Sequence, residues 1–151
     1  MLSAHDVAAY ILEQHGAMSA MKLQKLVYYS QAWTLVLTRK PLFREPIRAW
    51  AHGPVVHELF DVHRGKFVVE PEWPKGDADR VGGAEAEIID GVLSSYGRLS
   101  AERLSKMTHE EAPWDSARDH APAWARSSSI ITTDALADYY SQFEPPFEVE
   151  P

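Results

Sequence analysis

The chain has 151 residues and a mass of 17.0 kDa, with 45% hydrophobic, 11% aromatic and 25% charged residues, the proportions of one globular domain. It contains no cysteine, which excludes a disulfide framework, a thiolate metal site and a cysteine nucleophile. The net charge of −7 divides into +3 over residues 1–66 and −10 over residues 67–151, a poor balance for counterion-releasing nucleic-acid binding and a good one for a basic protein partner.

In chain order, Ser3 is placed to cap a first helix to about His15, with Val7, Tyr10, Ile11 and Gln14 on one face and Gly16 as its stop. Ser19 caps a longer helix to about Thr38 that lacks Gly and Pro. This helix is apolar or aromatic on every side, the signature of a central helix surrounded by the fold. Pro41 and Pro46 bracket a turn, and residues 47–51 read as a short strand. Pro54 suits the first turn of a third helix, expected over Val55 to about Arg64. Phe67 to Val69 reads as a second strand that pairs with residues 47–51, followed by a Pro- and Gly-rich surface loop over 70–83. Further helices are expected over 84–96 and 101–108, with a short helical piece over 114–118 and a last helix beginning at the cap Thr133. Ile130 and Ile131 form a third candidate strand, and the acidic, proline-rich residues 144–151 read as a mobile tail after a domain spanning 1–143. The expected fold is thus mainly α, with about six helices and at most a small two- or three-stranded sheet.

Chemistry-bearing constellations are sparse. His57 and Asp61 stand four apart on the third helix, but no third ligand has a fixed place and no HExxH occurs. Neither a nucleophile elbow nor a phosphate-cradling glycine loop is present. Lys22, Lys25, Arg39, Lys40, Arg44 and Arg48 make a basic stretch, and the first two helices mimic a helix-turn-helix in outline. A recognition helix needs a polar face, however, and the second helix has none. The five tryptophans are the feature hardest to assign to the core, because Trp50, Trp114 and Trp124 sit beside proline or loop segments, and Trp is enriched at interface hot spots. The apolar stretches fall short of the ~18 residues of a membrane span, and the first residues show no secretory leader, so a cytoplasmic protein is expected.

Three segments in order carry a resemblance: MKLQKLVYYSQAW at 21–33, PIRAWAHGPVV at 46–56 and LSKMTHEEAPW at 104–114. Together they resemble the Panacea domain family, which includes SocA-like antitoxins and GepA-like phage-associated proteins. The likeness covers roughly residues 1–140. The residues that match the family pattern are Lys22, Gln24, Lys25, Tyr28, Tyr29, Gln31, Trp33, Trp50, His52, Gly53, Pro54, Val55, Thr108, His109, Glu110, Pro113 and Trp114. Ala112 departs from it, standing where relatives carry glycine.

The resemblance implies a helical antitoxin of a bacterium or its phage that binds a toxin encoded next to it, without catalytic residues or a cofactor. It also brings in a ClpXP-type protease as a partner for the adaptor role of some relatives. A DNA-binding autoregulator is the other alternative, and a second copy of the chain is a further partner to consider. Tyr28 and Tyr29 are expected to pack around the turn at 52–54 and the segment 108–114, either as core or as a contact surface. Toxin-facing positions would then lie near Lys40–Arg48 or in the acidic stretch 70–90.

Overall fold

The computed structural model describes residues 1–149. Among these, seven α-helices and two small antiparallel sheets enclose one core. Helix α1 (Ala4–His15) starts in a capping box, in which Ser3 Oγ accepts from the Asp6 amide and the Asp6 carboxylate accepts from the Ser3 amide. The same carboxylate accepts from the Asp77 amide and pairs with Arg80 at 3.0 Å, which ties the 70–83 loop to the first turn. Burial favours the neutral Asp6 carboxyl, but the amides of Ser3 and Asp77 with the Arg80 guanidinium hold it below the usual carboxylate range.

Helix α2 (Ala20–Thr38) is the centre of the molecule, with fourteen of its 19 residues buried. The all-round apolar pattern of the sequence has this physical origin. The helix is ringed by α1, α4 (Gly83–Tyr96), α5 (Ala101–Glu110) and α7 (Thr133–Tyr140). A central helix has no solvent face on which to place polar residues, so each one must find its partners indoors.

Two sequence expectations change here. Residues 53–56 are not the first turn of a helix: Gly53–Val56 forms strand β3, and α3 begins at His57 and ends at His63. Gly53 has φ +120°, and it allows the chain to turn back so that β3 pairs with β2 (Ile47–Trp50) in a hairpin. The β-branched pair Val55 and Val56 then lies fully buried in the sheet. Strand β4 (Val68–Val69) does not pair with β2 either. It pairs with β1 (Met18–Ser19), the short link between α1 and α2, while the expected third strand, β5 (Ile130–Ile131), takes the open edge of β2. The short helix α6 (Ala112–Ala117) follows α5 after a single residue, with Pro113 in its first turn.

The expected tail falls partly on residues 150–151, which lie outside the described residues. Within them, the Phe147 ring meets Trp33 edge-on at 6.3 Å, and Ser95 Oγ donates to the Pro146 carbonyl at 2.8 Å. Gly91 faces Phe147 so closely that a methyl group there would overlap its ring.

Candidate functional site

The motif residues of α2 diverge around the helix, and each anchors a different part of the chain. Gln24 reaches β3, where its Nε2 donates to the Val56 carbonyl at 3.1 Å and its Oε1 accepts from the Val56 amide at 2.9 Å. It therefore behaves as an extra strand residue, and its Nε2 also meets His63 Nε2 at 3.0 Å. Gln31 does the same for the turn after α2, accepting from the Leu42 amide at 2.6 Å and donating to the Phe43 carbonyl at 2.9 Å. A buried primary amide suits this task because it offers one donor and one acceptor in a plane, as the backbone does.

Tyr28, Tyr29 and Trp33 face a second group of partners. The Tyr29 hydroxyl donates to Glu111 Oε1 at 2.7 Å, the Tyr140 hydroxyl donates to the same oxygen at 2.7 Å, and the Tyr28 and Tyr140 hydroxyls stand 3.0 Å apart. The Tyr29 ring stacks on Tyr96 at 4.3 Å, and Trp33 Nε1 donates to the Tyr96 hydroxyl at 2.9 Å. Burial raises the Glu111 carboxyl above its ordinary value, and the two tyrosine donors pull it back only in part. Burial, with Glu111 beside them, also drives the Tyr28, Tyr29 and Tyr140 phenols up, and Tyr96 rises to about 12. This cluster is closed on itself by hydrogen bonds.

The expected packing of the two tyrosines is half met. Tyr29 reaches the 108–114 segment through Glu111, but the side chain beneath the 52–54 turn is Lys25. A β-carbon on Gly53 would lie 2.6 Å from Lys25 Cε and 3.2 Å from its Nζ. Lys25 is fully buried, and its Nζ has no hydrogen-bond partner among the described residues. Burial alone brings its ammonium down to about 7.

His109, which also has an unpartnered buried nitrogen at Nε2, stacks on Trp114 at 3.9 Å between ring centres. Trp114 is buried, and its Nε1 donates to the Trp50 carbonyl at 2.8 Å. Arg118, 4% exposed, lies over the Trp114 ring at 4.6 Å. It donates to the carbonyls of Ala49, Pro122 and Ala125 and makes no ion pair among the described residues. Thr108 and Pro113 are buried beside these groups, as are Pro54 and Val55, whereas His52 and Glu110 are exposed and Lys22 is half-buried.

Sequence reasoning missed the partners that complete these networks: Glu111, Tyr96, Tyr140, His63 and Arg118. Glu111 lies within the 104–114 segment, but nothing local marks it as the carboxylate that turns inward.

A second region lies outside the motifs. Trp50 packs its ring against Phe60 at 5.0 Å and borders a shallow cavity with Arg126, Ser127 and Ser128. Trp124 nearby in sequence is 84% exposed, and Ile130 on β5 is half exposed. His57 and Asp61, the metal pair of the sequence reading, bring Nδ1 and Oδ2 within 3.4 Å of each other on the surface. Among the described residues no group of three His, Asp or Glu side chains converges to hold a metal ion. No described helix is long and apolar enough to cross a membrane.

The profile of the family described as "Antitoxin SocA-like, Panacea domain" matches residues 23–115, a span that runs from the second helix through Trp114. The chain belongs to this family. It is also similar to Antitoxin SocA of Caulobacter vibrioides (strain NA1000 / CB15N), with 29% identity over 133 residues, covering 76% of this chain and 69% of that protein. No solved structure matches the chain. The three motifs of this Panacea-domain chain are therefore chiefly the inner scaffolding of its fold, since most of their side chains are spent on α2 and the loops it holds.

Proposed function

We propose that this chain is an antitoxin that neutralises a cognate protein toxin by direct, stoichiometric binding in the cytoplasm, and that it performs no chemistry. Membership of the SocA-like antitoxin family carries the reading. The geometry supports it: Gln24, Tyr28, Tyr29 and Gln31 of the motifs spend their polar groups inside the fold, holding strands, turns and the end of α5, while large aromatic side chains such as Trp124 remain on the surface. A protein that binds a partner needs a rigid frame and a few anchors of this kind. We place the contact around Trp50 and Arg126, which border one cavity, and the exposed Trp124 two residues before Arg126 in the chain. His52 and Glu110, the exposed motif residues, are the further candidates.

Expression of the neighbouring open reading frame, alone and with this chain, tests the proposal. Growth arrest by the neighbour alone, restored growth with both, and a complex of fixed stoichiometry on size exclusion is the expected result. Arrest that persists beside soluble, folded chain overturns it. Restoration that needs a ClpXP-type protease is the mark of an adaptor instead.

A further inference from the structure

The corner beneath Gly53 contains a buried cation with nothing to bind. Lys25 Nζ and His109 Nε2 are both buried and both unpartnered among the described residues, and both side chains line one cavity of about 440 Å³ with Met21, His52, Ser105 and Lys106. The groups facing Lys25 from each packed element are His63 on α3, His52 and Gly53 on the turn, and Thr108 and His109 on α5. Arg118 lies beyond His109, against Trp114. Glu102 is the one carboxylate on the cavity wall, and it is exposed at the rim beside Lys106. Both nearby hydroxyls spend their protons on backbone: Ser105 Oγ donates to the His52 carbonyl of the turn and Thr108 Oγ1 to the Ser105 carbonyl, each at 2.7 Å.

An unmatched ammonium costs free energy that an apolar residue of the same length would not, so its presence beside an open cavity points to a ligand. The ligand's chemistry follows from the donors. One ammonium and one neutral imidazole bring a single positive charge and an N–H donor on each of two side chains, which fit a singly charged group with two acceptor oxygens. A phosphate dianion would find too little charge. We propose that this cavity binds a carboxylate group, held jointly by Lys25 Nζ and His109 Nε2. The glycine at 53 leaves the room in which the flexible lysine stem swings towards the cavity. The proposal does not rest on toxin neutralisation, because a free carboxylate and the carboxylate of a bound protein share this chemistry.

The test follows the Lys25 ε-methylene and amine signals of the full chain by NMR through a pH titration, once in sodium acetate and once in sodium chloride at equal ionic strength. Lys25→Met assigns the signal, and the exposed Lys40 and Lys66 serve as surface controls. The expected result is that acetate moves the Lys25 midpoint upward by about one unit, a tenfold preference for the protonated form, and leaves the controls unmoved. In His109→Phe, which keeps an aromatic ring against Trp114, the acetate response should shrink severalfold while Lys25 still titrates. Identical Lys25 midpoints in the two salts, or equal movement of all three lysines, overturns the proposal.

Repeating the measurement on the complex with the neighbouring gene's product identifies the source. A raised midpoint that no longer responds to acetate assigns the carboxylate to that protein, and a retained response assigns it to a free small molecule. If no complex forms, the neutralisation reading fails while the acetate comparison still decides the site.

Discussion

Two polar regions flank the same helix and are built to opposite rules. On one side Tyr28, Tyr29 and Tyr140 converge on Glu111, so that one half-buried carboxylate is matched by two phenol donors. On the other side, Lys25 and His109 bury nitrogens that match nothing among the described residues. A closed network fixes a unique packing and adds stability, whereas an open one costs stability and leaves donors free for something else. Burial alone therefore does not tell scaffold from site. The accounting of donors and acceptors does.

The largest expected effect breaks the frame on which both regions depend. Trp114→Ala removes a buried indole that His109 and Arg118 stack upon, and it should cost about 3–5 kcal/mol, read by denaturant unfolding. Loss of soluble protein would confirm a core role, and a folded variant that no longer neutralises would move Trp114 to the partner surface.

Next in size is Glu111→Leu, which strips the closed cluster of its acceptor, leaves the Tyr29 hydroxyl unpaired and leaves Tyr140 with Tyr28 alone. A loss of about 2–4 kcal/mol is expected, against a change of opposite sign for Lys25→Met, which replaces an unmatched cation by an apolar side chain of similar length. If both substitutions destabilise equally, the contrast between the two regions is false.

The pH dependence of stability sharpens the same comparison. The folded Lys25 titrates near 7 and the unfolded one near 10.5, so above pH 7 the unfolded chain holds the extra proton. Stability should climb between pH 7 and about 9.5, by about 4 kcal/mol at most, and the climb should vanish in Lys25→Met. Above pH 10 the raised tyrosines reverse the sign, because there the folded state keeps protons that the unfolded state has lost. The smallest stability effect is expected at Trp124→Ala, within about 0.5 kcal/mol of wild type, since its ring is exposed. It should nonetheless weaken neutralisation in the growth assay.

The central helix, the 47–50 strand and the family motifs were legible in the sequence because each has a local signature. An apolar surface on every side, alternation near a turn, and an ordered set of motifs need no knowledge of the rest of the chain. The β3 strand was not legible, because Pro54 followed by apolar residues fits a helix start as well as a hairpin arm. The choice between them is made by the positive φ of Gly53 and its pairing with Trp50. Lys25 reads in the sequence as one member of a basic stretch, and the room for its buried stem depends on a glycine 28 positions later. Glu110 and Glu111 are chemically equivalent in sequence, and only the end of α5 decides which one meets the tyrosines.

The manner in which α2 gathers its partners has a consequence for synthesis. Its side chains bond to residues 42, 43, 56, 63, 96, 111 and 140, in pieces that leave the ribosome one after another. Pairings so far apart along the chain close slowly. The helix must therefore wait, half wrapped, until the last of these residues has emerged. A nascent chain halted before Tyr140 leaves uncovered part of the α2 surface that the finished fold buries.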